Sequence, residues 1–308
     1  MTKKLHMSVS PHIHSGSSTS DIMQDVLIAL TPVAGAGIMI FGIRALLVIA
    51  VCVLSCVGLE ALFNLIVKKE QTIGDCSAAV TGLLLALNLP ADTPIWQCII
   101  GSIFAIIVVK CLFGGLGCNI VNPAITARVF MLVAFASVAV PSQSILPDAI
   151  TGATPLAVMA GGETVNLSNL FLGTHGGAIG ETCAIALIWG FIYLLSRRVI
   201  TWQLPVTYVG SVFVLSYLME GDVTRALALT LSGGLLLGAI FMATDYVTSP
   251  VTPWGKVVFG VGAGLITFLI RYFGGYPEGV SFAILLMNIL TPYIDKFTAH
   301  KVFGGKKA

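Results

Sequence analysis

Between Arg44 and Lys68 runs the stretch ALLVIAVCVLSCVGLEALFNLIV, residues 45–67. It carries one charge, Glu60, and no proline. An α-helix needs about 20 predominantly apolar residues to cross the hydrocarbon core of a bilayer, and this run suffices. The rest of the chain has the same character. Of 308 residues, 56% are hydrophobic and 10% charged, with a mean hydropathy of +0.97. Soluble proteins carry about a quarter charged residues. A soluble α/β enzyme, a disordered tail and a nucleic-acid binder are therefore excluded, and the partner implied by composition is the lipid bilayer.

Further apolar runs lie near 22–43, 75–89, 94–113 and 119–140, and after a break at 178–196, 203–220, 225–243, 254–273 and 279–295. The predicted fold class is an all-α polytopic membrane protein with about ten transmembrane helices. The third run is short and ends in Leu87-Asn88-Leu89-Pro90-Ala91-Asp92; the eighth runs into Thr244-Asp245 and the Pro250/Pro253 loop. Such interruptions mark broken helices lining a cavity, because bare backbone needs protein or water to satisfy it. The expected organisation is a cytoplasmic tail (1–21), a first five-helix repeat (22–140), an outer segment (141–176), a second five-helix repeat (177–295) and a basic cytoplasmic tail (296–308). The polar start MTKKLHMSVSPHIHSGSSTS has no apolar signal region, so the first span is expected to be retained.

Lysine and arginine orient the chain. Twelve of the sixteen (Lys3, Lys4, Lys68, Lys69, Lys110, Arg197, Arg198, Lys256, Lys296, Lys301, Lys306, Lys307) fall on one side of a ten-span arrangement; Arg44, Arg225 and Arg271 fall on the other, and Arg128 lies within a span. The positive-inside rule puts both termini in the cytoplasm and 141–176 outside. The halves also resemble each other: Leu83-Leu84-Leu85 with Leu235-Leu236-Leu237, Trp96 with Trp254, Lys110 with Arg271, and Phe113-Gly114-Gly115 with Phe273-Gly274-Gly275. Five spans separate equivalent points, so the repeats are inverted, an architecture that places its site between the halves near the midplane.

The outer segment holds Asp148-Ala149-Ile150-Thr151-Gly152-Ala153-Thr154-Pro155-Leu156. Gly152 and Ala153 leave Thr154 open, and Pro155 biases Thr154 toward extended backbone. An exposed hydroxyl in this setting suits covalent modification; an ordinary turn between spans is the alternative. Seven cysteines lie mostly in apolar runs with no C-x-x-C pair, and read as packing residues.

The Asp148–Thr154 stretch resembles the Asp-x-x-(Ser/Thr)-Gly-Ala-Thr signature at which a flavin transferase esterifies the last threonine with the phosphate of FMN. Gly238–Pro250 (GAIFMATDYVTSP) resembles a Phe-Met-Ala-Thr-Asp-Pro-Val motif of the same family, with Tyr246 in place of proline, and Gly177–Thr182 resembles its Gly-Ser-Ile-Gly-Glu-Thr. Asn122-Pro123-Ala124 and Ser10-Pro11-His12 extend the likeness over nearly the whole chain. The family resembled is NqrB/RnfD. It joins the RnfD protein of the Rnf complex to the NqrB protein of the sodium-pumping NADH:quinone oxidoreductase, and the length favours the former.

The resemblance implies a membrane component of an oxidoreductase, in a bacterial or archaeal cell membrane, that passes electrons from ferredoxin to NAD+ and exports Na+ or H+. It implies FMN esterified to Thr154, with Asp148, Thr151, Gly152 and Ala153 as its recognition sequence. It also implies a flavin transferase for maturation, and the other Rnf subunits (A, B, C, E and G) as partners. A non-covalent riboflavin is a further expectation from the quinone-reductase relative. A solute channel or transporter, urea-like in architecture, competes; it has no use for a flavinylation signature.

Charges within the spans form a second signal, because each costs about 2.5–3.5 kcal/mol on insertion scales and so needs a partner or a wet cavity. Arg128 offers a donor fork to a flavin, or an ion pair to Glu60 or Glu181. Glu181 stands at a span boundary as a site residue or a helix cap. Asp245, at a broken helix end, is the candidate contact for Na+ or flavin. The histidines of the tails, His6, His12, His14 and His300, lack companions for a metal site.

Overall fold

The computed structural model describes residues 18–135, 138, 142, 154–161, 165–274 and 279–299. Of the expected features, Asp148, Thr151, Gly152 and Ala153, the His12/His14 tail and the terminal Lys301–Lys307 cluster lie outside these residues. Among the described residues the chain is helical, with a single antiparallel bridge between Ser142 and Gly177.

Four helices are long and apolar enough to cross a membrane: α1 (Thr19–Phe41), α2 (Ile43–Val67), α12 (Pro253–Phe273) and α13 (Val280–Thr298). Between them lie α3 (Ser77–Leu87), α4 (Ile95–Ile103), α5 (Pro123–Ala134), the short α6 (Pro155–Ala160) and α7 (Leu167–Leu172), α8 (Ala184–Ser196), α9 (Gln203–Glu220), α10 (Val223–Leu231) and α11 (Leu235–Leu237). The first helix starts at Thr19 because Ser18 and Asp21 form a reciprocal cap, Ser18 Oγ accepting from Asp21 N and the Asp21 carboxylate accepting from Ser18 N. It ends at Gly42, whose φ of 71° no ordinary side chain adopts readily.

Two helices are broken. With eleven residues, α3 reaches about 16 Å, roughly half the hydrocarbon thickness. The pair formed by α10 and α11 with its continuation Gly238–Met242 bends by 64° at Ser232–Gly234. Both α4 and α11 widen at their far ends into π-helical turns over Phe104–Cys111 and Gly238–Met242. The bonds there skip five residues, Leu112 N to Ile107 O (3.0 Å) and Ala243 N to Gly238 O (2.7 Å). Such turns interrupt regular helix and recur at functional sites.

The expected spans at 119–140 and 178–196 are shorter than the hydropathy runs. Residues 119–121 and 178–183 of those runs are not helical. Backbone groups of 177–180 bond to other segments instead: Gly177 N donates to Ser142 O, Ile179 N to Leu89 O and Gly180 N to Leu87 O. Buried backbone must be paired, and here it is paired by the open end of α3.

Small residues set the closest approaches. In α12, Gly260 and Gly264 face α9, where added Cβ atoms would fall 2.1 Å from Thr207 Oγ1 and 1.7 Å from Ser211 Oγ. This is the close-packed glycine spacing of membrane helix pairs. All seven cysteines are unpaired, four of them buried. Helix ends gather on two faces. One holds Arg44–Asp92, Ser142 and α6. The other holds Ser20–Gly74, Arg197–Asp25, Lys256–Thr201 and Thr252–Thr298.

Candidate functional site

The open ends of the two broken helices meet at the centre of the molecule. Asn88, capping α3, donates from Nδ2 to Leu84 O at 2.7 Å, with Met242 Sδ at 3.5 Å. From the same half of the sequence, Asn122 Nδ2 donates to Met242 O at 3.3 Å, while its Oδ1 caps α5 by accepting from Ala124 N and Ile125 N. A side chain at Gly180 would collide with Leu87 Cβ at 2.7 Å, so only glycine fits between the 176–182 segment and α3. Glu181 is buried, its Oε1 3.1 Å from the position of a Cβ on Gly234, the residue before α11. A carboxylate is favourable at a helix start. Arg128 is buried on α5.

Of the alternatives for Arg128, pairing with Glu60 is removed: Glu60 belongs to Lys110. The Lys110 ammonium lies 2.8 Å from Glu60 Oε2 and donates to Ser77 Oγ at 2.6 Å. Thr72 donates to Glu60 Oε1, Asn64 to Thr72, and Ser77 Oγ to Asp75. Lys110, counted from the sequence among the flanking cations, is only 1% exposed. The mirror of this cluster was also unforeseen. On the Thr154 face, Glu220 Oε1 accepts from Tyr272 and Glu220 Oε2 lies 2.9 Å from Arg225 Nε. Glu220 stands 160 residues after Glu60, close to the offset of Arg271 from Lys110, a signal that the sequence carried.

A cavity of about 520 Å³ opens between the halves toward the Lys256 face, with Thr81, Lys110, Asn119, Asn122, Asp245 and Tyr246 in its wall. The Asn119 side-chain oxygen is buried there without a hydrogen-bonding partner among the described residues. Desolvation pushes the Asp245 carboxyl above its ordinary value, against hydrogen bonds from Thr248 and the Val247 and Tyr246 amides. Among the described residues no three His, Cys, Asp or Glu side chains converge. Tyr246, which replaces the motif's proline, ties its loop to the turn after α8 by donating to Val199 O.

On the opposite face Thr154 is half-buried and extended (φ −61°, ψ 153°), as the following proline requires. Its Oγ1 accepts from Ala157 N at 3.3 Å and starts α6. Nearby, His175 is 5% exposed with Nδ1 3.0 Å from Gly176 O. Burial pushes its imidazole below the ordinary 6.5, which the Gly176 and Thr182 carbonyls oppose.

The profile of the NQR2, RnfD, RnfE family matches residues 6–304. The chain belongs to that family. It is 45% identical over 309 residues to the D component of the Na(+)-translocating ferredoxin:NAD(+) oxidoreductase complex of Acetobacterium woodii, covering 98% of this chain and 96% of the relative. It is 42% identical over 323 residues to the D component of the proton-translocating ferredoxin:NAD(+) oxidoreductase complex of Clostridium ljungdahlii, with 98% and 96% covered. Against the D component of the ion-translocating oxidoreductase complex of Stutzerimonas stutzeri it is 36% identical over 328 residues, with 94% and 93% covered.

Proposed function

We propose that the protein is the RnfD component of an ion-translocating ferredoxin:NAD+ oxidoreductase, carrying FMN esterified to Thr154. The observation that carries this is the full-length likeness to relatives named as such components, joined to a half-buried, extended Thr154 at the start of α6. The reading takes the four long helices, the bent pair and the shorter apolar helices as ten spans in two inverted repeats. Both termini face the cytoplasm, and Thr154 faces outward.

The chain's own residues fit the group. Thr154 is held extended by Pro155 and has small sequence neighbours, Gly152 and Ala153; its oxygen would exchange the long bond from Ala157 N for the transferase. The Asp148, Thr151, Gly152 and Ala153 sequence would supply its recognition. Bound flavin supplies one- and two-electron chemistry; the protein supplies position and electrostatics. Arg128 and Glu181, both buried near the meeting of the halves, would set the field between the two faces.

The cavity on the Lys256 face fits a second, non-covalent flavin such as riboflavin. Its Asn119 oxygen, without a hydrogen-bonding partner among the described residues, offers an acceptor to the N–H edge of such a ring. Asp245, with hydroxyls and freed carbonyls at the end of α11, would contact Na+ or carry a proton. The other Rnf subunits (A, B, C, E and G) and a flavin transferase are the expected partners.

The test is a denaturing gel of the chain co-produced with a flavin transferase. A fluorescent flavin band that disappears in Thr154→Ala supports the attachment; a band that persists, or none in the unaltered chain, refutes it. Mass spectrometry of released flavins tests the second group: finding peptide-attached FMN alone removes riboflavin.

A further inference from the structure

The helix that begins at Thr154 is too short to hold itself. An isolated helix needs about 12–15 residues to be even marginal in water, and α6 has six. Its orientation must come from what it touches. Leu156 and Met159 are buried in a small apolar cluster with Leu170 and Ala228, apart from the main core. A Cβ on Gly233 would fall 2.6 Å from Leu156 Cδ1, so the bend of the broken helix provides a notch for that leucine. Arg271 braces the bend by donating to Leu229 O and Ser232 O.

The polar anchor lies at the other end of α6. Arg225 Nη2 donates to Met159 O at 3.0 Å, and its Nε lies 2.9 Å from Glu220 Oε2. Glu220 in turn accepts from the Tyr272 hydroxyl at 2.8 Å. Tyr272 of α12, Glu220 of α9 and Arg225 of α10 thus form a chain of contacts that ends in a guanidinium donor spent on α6. A planar fork suits this bridging task; an ammonium makes it only in part.

We propose that Arg225, held by Glu220 and Tyr272, is a positioning residue that fixes the Thr154-bearing helix against the bend of the broken α10–α11 helix and thereby sets the electron-transfer geometry of the group on Thr154. The inference rests on the reading of Thr154 as the attachment point. Thr154 and the anchored carbonyl stand about five residues apart, roughly 8 Å along the helix. Release of the far end lets the near end swing, and a rate that depends on the placement of a donor and an acceptor falls with such displacement.

The test uses the assembled complex produced with its flavin transferase. Covalent flavin per polypeptide, ferredoxin:NAD+ turnover per attached flavin and the KM for ferredoxin are measured for Arg225→Gln, Arg225→Lys and Tyr272→Phe. In Arg225→Gln, turnover per flavin is expected to fall ~10-fold or more with the KM for ferredoxin unchanged; Arg225→Lys recovers part of the loss. Turnover per flavin within about twofold of the unaltered complex overturns the inference. Should Arg225→Gln fail to assemble, Tyr272→Phe is decisive. It leaves the bond to Met159 in place and only loosens Glu220, so a fall of ~2–3-fold supports the proposal and no fall overturns it. An unaltered chain without covalent flavin overturns the underlying assignment; a flavinylated one with all variants unaffected overturns this inference alone.

Discussion

Replacing Lys110 by methionine probes the most deeply buried ion pair among the described residues. The ammonium and the Glu60 carboxylate are separated by 2.8 Å, with side chains 2% and 5% exposed. At an effective dielectric of about 20, Coulomb's law gives an attraction of about 6 kcal/mol at that separation. Desolvation of both groups offsets much of it, so the pair's net worth is small. Removing one partner is different: the desolvation of Glu60 persists while its compensation is lost, at a cost of about 3–5 kcal/mol. Thr72 still donates to Glu60 Oε1, which places the expected loss toward the lower end. The double variant Glu60→Gln/Lys110→Met leaves no buried charge and is expected to lie within about 1–2 kcal/mol of the unaltered chain. The assay is denaturant unfolding of the purified chain in detergent, followed by the fluorescence of its four tryptophans. A Lys110→Met variant within about 1 kcal/mol of the parent, or a double variant as unstable as the sum of the singles, would falsify the reasoning.

Three further outcomes are expected. Gly260→Val should destabilise by about 1–3 kcal/mol or block accumulation, because its Cβ would meet Thr207 Oγ1 at 2.1 Å and Leu204 O and Tyr208 N at 3.0 Å; thermal unfolding in detergent checks it, and a neutral result denies the close α9–α12 contact. His175 is depressed below 6.5 by burial, so its contribution to stability is present above 6.5 and lost as the pH falls through the lowered value. His175→Asn should flatten that decline in unfolding midpoints as the pH is lowered below 6.5, and an unchanged slope would exclude His175 as its source. Tyr246→Phe removes the donor to the buried Val199 carbonyl and should cost about 1 kcal/mol, read by the same denaturant titration; no loss would mean that water replaces the hydroxyl.

Much of this protein is legible residue by residue. Continuous apolar runs identify α1, α2, α12 and α13, because hydrocarbon solvent demands length and apolarity before anything else. Leu87-Asn88-Leu89-Pro90 announces the end of α3, since proline acts on the local backbone, whereas the break of the eighth run is expected at Thr244-Asp245 and the structure adds the 64° bend at Ser232–Gly234. Hydropathy overreached at 119–121 and 178–183, which are not helical. The amides of Ile179 and Gly180 are satisfied by partners far along the chain, and local composition does not register this.

The charged residues divide along the same line. That Glu60, Arg128 and Glu181 need partners follows from burial cost alone; that Glu60 takes Lys110 rather than Arg128 follows from α2, α3 and α4 meeting where the π-helical turns carry Lys110 inward. Thr154 is legible because its signature is contiguous, and its extended backbone follows from the next residue being proline. The anchoring of its helix by Arg225, 66 residues beyond Met159, comes from three helices converging.

By itself the sequence determined an all-helical membrane protein with interrupted apolar runs and singled out Thr154 as a candidate attachment point, because these features depend on residue type and near neighbours. Tertiary structure decided which buried charges pair, which glycines are obligatory and what holds the Thr154 helix, because each depends on distances between segments that share no local pattern.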